Sequence, residues 1–155
     1  MLPEQLKPKF QYELVRIGSN NDGGYLVEKK SLNNSIFLIG AGINDNWDFE
    51  KQFNKPFIGI DDRISINYLI KRLAVNTLKI FLFKSPIFLI KSLKNIFEYL
   101  KLRKYFIKGY ISNYNDSSKG YLTMETIIDK FISKDSSNNI FLKLDIEGSE
   151  YRILD

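Results

Sequence analysis

Two kinds of apolar spacing divide this chain. Residues 12–17 and 25–28 are short strand-like runs on either side of Gly18-Ser-Asn-Asn-Asp-Gly-Gly24, a cluster that supplies the positive-φ residues of a tight reversal, which predicts a hairpin. Residues 36–39 are an apolar run of four that ends in Gly40-Ala-Gly42, after which Asn44 or Asp45 offers a cap for a helix reaching Phe53. Pro56 then separates that helix from a second apolar run, residues 57–60, closed by Asp61-Asp62. Runs without alternation are how strands buried on both faces read, so the pattern predicts β-loop-α-β in a parallel sheet.

From Ile64 the period changes. Ile66, Leu69, Ile70 and Leu73, and beyond Pro86 Leu89, Leu93, Ile96, Phe97 and Leu100, recur at three and four residues, which predicts helices with a break near Pro86. Residues 105–111 read as a strand, 113–120 as a polar loop and 123–132 as a helix with Ile127, Ile128, Phe131 and Ile132 on its apolar side. A second loop over 135–139 leads into a buried strand at 140–144, and a helix is expected from Ile146 onward. Lysines interrupt every apolar stretch, so nothing approaches the roughly 20 apolar residues that cross a bilayer. Strand starts near 36, 57, 105 and 140 lie 21, 48 and 35 residues apart, against about 30 for one βαβ unit. The middle gap therefore holds about one extra helix, an inserted helical hairpin or flap. The expectation is a three-layer α/β fold of about four parallel core strands. It forms a single domain over 1–155, with an N-terminal hairpin region at 1–34 and a helical insertion at 64–104.

Composition sharpens the picture by exclusion. The 155 residues contain no cysteine and no histidine, so disulfides, Cys or His zinc sites, thiol nucleophiles and His-dependent triads are impossible. Acid–base chemistry falls to Asp, Glu, Lys or Tyr. Glu4, Lys7, Lys9 and two prolines precede any apolar run, which predicts no signal peptide and a cytoplasmic location. Charge is unevenly placed. Residues 64–108 carry ten basic side chains against the single acid Glu98, a net +9, which leaves −4 for the rest of a chain whose total is +5. Lysine outnumbers arginine 18 to 5 and Asn, Ile and Phe are abundant, the usage of an AT-rich genome, so part of the lysine excess carries no functional meaning. The competing reading is a basic face for an acidic substrate or an anionic membrane surface. Arginine forks are scarce in the segment, which argues against nucleic acid.

In a parallel sheet the strand C-termini open onto the crevice where ligands bind, and three of them here are polar: Gly40-Ala-Gly42, Asp61-Asp62 and Asp145-Ile-Glu147. Gly40 and Gly42 let backbone approach a ligand that a Cβ would repel. Asp61, 21 residues past Gly40, stands where a carboxylate takes both hydroxyls of a ribose. Asp61 or Asp62 capping the next helix is the competing reading. A dinucleotide fingerprint would place a third glycine where Asp45 stands, and an anion there opposes pyrophosphate, so a nicotinamide cofactor is disfavoured. A nucleoside bearing a cationic group, such as S-adenosylmethionine, suits the acidic rim. At the fourth strand, Asp145 and Glu147 project to one side if extended, and Glu147 and Glu150 share a face if a helix starts there. Alternatively Asp145 is an N-cap and the glutamates complement the helix dipole. Clustered carboxylates could also hold Mg²⁺, although nothing in the sequence demands a metal.

These stretches resemble a family. Leu142-Lys-Leu-Asp-Ile-Glu-Gly-Ser-Glu150 followed by Ile153-Leu154 is similar to the signature of FkbM-type methyltransferases. Arg16-Ile-Gly-Ser-Asn-Asn-Asp-Gly-Gly-Tyr25 resembles the Asp-Gly-Gly-Tyr stretch that precedes the cofactor domain in one branch of them. Leu38-Ile-Gly-Ala-Gly42 with Phe49-Glu50 resembles that branch's first glycine motif and following helix, and Phe57-Ile-Gly-Ile-Asp61 its second strand with a ribose-binding acid. The resemblance implies a Rossmann-like, S-adenosylmethionine-dependent methyltransferase in which Gly40, Gly42 and Asp61 hold the cofactor while Asp145 and Glu147 stand beside the transferred methyl. For such an enzyme we expect O-methylation of a glycan or similar hydroxyl, a poor nucleophile that profits from a base; Glu147 or Asp145 could serve, with Asp145 favoured as orienter and Glu147 as base. The 64–104 insertion is not part of the shared core. A family member would also continue through about three more strands, so the expectation is a C-terminally truncated chain that dimerises or is poorly soluble alone. A second reading comes from another class: a peripheral membrane or polyanion-binding module in which Lys84, Lys91, Lys94 and Lys101 meet an anionic surface while Phe88, Leu93 and Phe97 insert.

Overall fold

Glycine closes the first turn. In the computed structural model, which describes residues 10–20, 23–81, 85–132, 139–148, 150 and 153, β1 (Leu14–Gly18) and β2 (Gly24–Glu28) pair antiparallel from Leu14↔Glu28 to Gly18↔Gly24. Gly18 has φ +92°, and a Cβ there would stand 2.2 Å from the Gly23 carbonyl oxygen, so a side chain would keep the strands apart. Asn21 and Asp22 of the expected turn lie outside the described residues. The next element, α1 (Lys29–Asn34), was not legible as a helix because it buries no side chain. Its C-terminal carbonyls have an external partner instead: Lys55 Nζ donates to the carbonyls of Leu32 and Asn33, each at 2.8 Å, and to that of Ser35. That cation satisfies acceptors which helix geometry leaves open.

The apolar runs form the expected sheet. β3 (Phe37–Ala41), β4 (Phe57–Asp61), β5 (Phe106–Lys108) and β8 (Ile140–Leu144) are parallel, in the spatial order β5-β4-β3-β8. The chain steps outward from β3 through β4 to β5 and then returns to the other side of β3. This four-stranded order is compatible with a Rossmann-like layout and puts the reversal of direction between β3 and β8. Successive residues of β3 point to opposite faces, and both are buried. Ile39 and Ala41 join Ile58, Ile60, Ile111 and Ile127 on one face, whereas Leu38 joins Ile17, Phe49, Phe53 and Phe57 on the other.

Three elements differ from expectation. The helix after β3, α2 (Asp48–Gln52), starts later than an Asn44 or Asp45 cap would set it, because both residues are committed elsewhere. Asn44 has φ +46° and gives its amide to Asp61, while Asp45 pairs with Arg72. The strand expected over 105–111 is split at Gly109, where a Cβ would meet the Gly120 carbonyl oxygen at 2.5 Å. Beyond it β6 (Tyr110–Ile111) pairs with β7 (Tyr121–Leu122), a strand not anticipated after the polar loop. Finally, residues 146–148 form a turn, and most of the helix expected from Ile146 lies outside the described residues. As anticipated, α5 (Met124–Phe131) forms with Thr123 as its N-cap, accepting from the Thr126 amide at 3.2 Å.

The insertion is a pair of helices, α3 (Ile66–Phe81) and α4 (Ile87–Leu102), joined across a buried hydrogen bond of 2.8 Å from Asn76 to Ser92. Leu69 of α3 and Ile96, Tyr99 and Leu102 of α4 pack against Ile43 and Trp47, and polar residues share that buried side. Ser92 and Asn95 of α4 are buried, and Leu93, Phe97 and Leu100 are exposed. No helix among the described residues is long and apolar enough to cross a membrane. β8 is an outer strand of the described sheet, with Leu142 exposed.

Burial makes a quantitative contrast. Ile127 is fully buried, so Ile127→Ala is expected to destabilise by about 2–5 kcal/mol in urea unfolding. Leu93→Ala on α4 is expected to change stability by no more than about 0.5 kcal/mol. Equal losses at the two positions would contradict the outward orientation of Leu93.

Candidate functional site

A lysine in the middle of an apolar strand demands a partner, and Lys143 of β8 finds Glu50 of α2. Their charged atoms are 3.0 Å apart with side chains 6% and 0% exposed. Gly40 of β3 makes this possible, since a Cβ there would stand 2.6 Å from Glu50 Oε1. The ammonium also lies 5.3 Å from the centre of the Tyr25 ring and 5.6 Å from that of Phe49, over faces that attract a cation. Glu50 Oε2 is buried with no hydrogen-bond partner among the described residues.

Tyr25 continues the chain of contacts. Its hydroxyl donates to Asp145 Oδ2, just past the end of β8, so the N-terminal hairpin grips the C-terminal end of the sheet. The Gly18 amide donates to Gln52 Oε1 at 3.0 Å and fixes the same hairpin to α2. Gly42, at φ +76°, passes directly under this strand end: a Cβ on it would lie 1.7 Å from the Asp145 carbonyl oxygen. The missing side chains of Gly40 and Gly42 therefore make room for protein atoms, Glu50 and the Asp145 backbone.

Asp61 closes β4 and is 9% exposed. Its two oxygens accept the amides of Asn44, at 2.7 Å, and Arg63, at 2.8 Å. The alternative that Asp61 caps the following helix does not hold, because α3 starts at Ile66 and Ser65 Oγ accepts from the Tyr68 amide there. Its neighbour Asp62 accepts from the Tyr110 hydroxyl at 2.8 Å, and that hydrogen bond pushes the Tyr110 hydroxyl above the ordinary tyrosine range. Asp45 pairs with Arg72 at 2.9 Å, so less of its negative charge reaches an approaching phosphate than the bare residue would present.

The structure thus brings Gly42, Asp61 and Asp145 to the same end of the sheet through the loops that follow β3, β4 and β8. Glu147 follows two residues after Asp145. It occupies a left-handed turn at φ +52° and its exposed carboxylate makes no hydrogen bond or ion pair among the described residues. Glu150 does not share a helical face with it. Its carboxylate accepts the Ile146 amide at 3.0 Å and the Gly148 amide at 2.7 Å, and backbone hydrogen bonds hold its pKa below the ordinary glutamate range.

Sequence reasoning assigned no role to Tyr25, Glu50 or Lys143. The signal was there for the last of them, because a charge inside a buried strand is nearly always paired.

Two clefts lie outside this region, one beside the loop after β3 and one at the opposite end of the sheet. One of about 370 Å³ lies between the loop after β3 and α4, lined by Asp45, Trp47, Asp48, Lys94 and Glu98 among others. The second, about 330 Å³, sits by Ser31, Asn139 and the start of β8. Neither includes Gly42, Asp61, Asp145 or Glu147. No group of three or more residues suited to hold a metal ion occurs among the described residues. Comparison with family models, with curated proteins and with solved structures returned no match to this chain.

Two outcomes follow from these contacts. Lys143→Met leaves the Glu50 charge buried and unpaired, and is expected to lower unfolding free energy by about 3–5 kcal/mol, with most of that recovered in the Glu50→Met/Lys143→Met double variant. A double variant no better than the single would show that the pair does not act as a unit. Glu150 has a depressed pKa, so its hold on the 146–148 turn is complete above the ordinary glutamate value and is released as pH falls through the lowered one. In an NMR titration the Gly148 amide should stay unshifted until pH drops below that ordinary value. A midpoint at or above it would contradict the hydrogen bonding.

Proposed function

We propose that the chain is an S-adenosylmethionine-dependent methyltransferase whose acceptor is a hydroxyl group, on a glycan or a molecule of similar chemistry. The observation that carries the reading is Asp61: a carboxylate at the C-terminal end of β4, aimed by two backbone amides, beside the glycine loop that turns past Asp145. A carboxylate offers about four acceptor sites, and the two amides use one on each oxygen. Those that remain can accept from a vicinal diol, so these acceptors fit the hydroxyls of the ribose of such a cofactor. Asp62, next in the chain, and Asp145, past the end of β8, add negative charge to this end of the sheet, which favours a sulfonium over a phosphate.

When bound, the cofactor supplies an electrophilic methyl group for in-line attack by the acceptor oxygen. Asp61 fixes the nucleoside end by hydrogen bonds that are each worth about 1.5–3 kcal/mol when charge-assisted. Asp145, restrained by the Tyr25 hydroxyl, orients the reacting end. Glu147 takes the acceptor's proton, a role suited to an exposed carboxylate without competing partners among the described residues. Alignment supplies most of the acceleration, because a methyl transfer develops little charge that the protein must stabilise afresh.

Isothermal titration calorimetry with S-adenosylmethionine tests this reading. Wild-type chain should bind it, Asp61→Ala should weaken binding at least about tenfold, and free adenosine should compete. Equal affinity in wild type and Asp61→Ala, with circular dichroism showing both folded, would contradict it.

A further inference from the structure

Helix α4 packs Ile96, Tyr99 and Leu102, together with Ser92 and Asn95, against the domain and still leaves a second apolar stripe in water. Ile90, Leu93, Phe97 and Leu100 follow one another at three and four residues, so they line one stripe, and all four are exposed, Phe97 at 66%. Lys94 and Lys101 lie three and four residues from Phe97 and flank that stripe, both exposed. The one acid of the 64–108 segment, Glu98, is less exposed than they are and touches Lys94 only at 3.8 Å. Glu98 accepts from Trp47 Nε1 at 3.0 Å and pairs with Lys51 at 2.9 Å, which occupies its charge against the body of the domain.

We infer that this face of α4 is a docking surface for an anionic lipid bilayer, with the helix lying in the interface, Leu93, Phe97 and Leu100 entering the acyl boundary, and lysines reaching the headgroups. Charge decides among the occupants. A second copy would set one strongly basic segment against another, whereas anionic headgroups complement it, and the long lysine stems allow their ammonium groups to remain at the phosphate level while apolar neighbours go deeper. Lys71 and Lys79 of α3, both exposed, extend the positive field across the insertion. Lys84 and the rest of the α3–α4 connection at residues 82–84 lie outside the described residues. The inference does not depend on the adenosylmethionine reading, since none of these residues belongs to the crevice.

Co-sedimentation with phosphatidylcholine vesicles containing about 30 mol% phosphatidylserine tests it. The full chain should pellet with these vesicles and not with pure phosphatidylcholine, and added salt should release it. Lys94→Gln/Lys101→Gln should lower the partition about thirtyfold, from about a 1 kcal/mol contribution per lysine. Phe97→Ser should lower it about tenfold. All three positions are exposed, so unfolding curves should match wild type. No partition onto the anionic vesicles, equal partition onto neutral ones, or unchanged partition in both variants would overturn the inference. So would a dimer in sedimentation velocity that Phe97→Ser dissolves, which would assign the stripe to a second copy.

Discussion

The buried ion pair between Lys143 and Glu50 joins three elements that are far apart in the sequence. Lys143 comes from β8 and Glu50 from α2, while Tyr25 of the hairpin lays its ring against the ammonium. Taking both charges out of water costs several kcal/mol per ion, which the 3.0 Å contact and the aromatic faces offset while Glu50 Oε2 keeps no hydrogen-bond partner among the described residues. Gly40 leaves the room, the aromatic rings enclose the cation, and the paired oxygen of Glu50 is at full contact. Shifting any of these elements would strand a charge. The hairpin, which alone would be marginal as a two-stranded unit, is thereby fastened to the sheet.

What that fastening positions is the polar end of the sheet. Tyr25 passes its hydroxyl to Asp145, Gly42 slides beneath the Asp145 backbone, and the loop that follows delivers the Asn44 amide to Asp61. The acidic groups are therefore set by backbone contacts and by one aromatic hydroxyl before any ligand arrives. Such preorganisation is what a site needs if positioning is to supply most of its effect. The insertion joins this chain of contacts through the Tyr68 hydroxyl, which donates to Asn44 Oδ1 at 2.7 Å, and through the Trp47–Glu98, Lys51–Glu98, Asn95–Asp45 and Arg72–Asp45 links, which tie it to the loop after β3 and to α2.

Much of the architecture was legible because its signals are local. Runs such as 36–39 and 57–60 are continuously apolar, the usual composition of strands buried on both sides, so the parallel sheet could be read directly. The hairpin was legible from glycines at positions where a Cβ has no space. The misses share a cause: each depended on a partner distant in sequence. Helix α1 ends on Lys55, the start of α2 is set by what Asp61 and Arg72 take from Asn44 and Asp45, and β7 exists because β6 is beside it. Spacing revealed α4 as a helix but not which way it faces, because the Ser92–Asn76 and Asn95–Asp45 bonds that orient it are polar contacts without a periodic signature. At the site, Asp61 and Gly42 announced themselves at strand ends, whereas the role of Tyr25 is visible only once the hairpin is folded onto β8.

The account's central claim is that the ends of β3, β4 and β8, and not the neighbouring cleft by α4, receive the adenosyl group. An NMR titration of isotope-labelled chain with S-adenosylmethionine distinguishes these directly through backbone amides. The account predicts shifts concentrated at Gly42, Asn44 and Arg63, whose amides belong to the glycine loop or bond to Asp61. Shifts confined to residues 45–48, Lys91 and Lys94, or no shifts at saturating ligand, would contradict it.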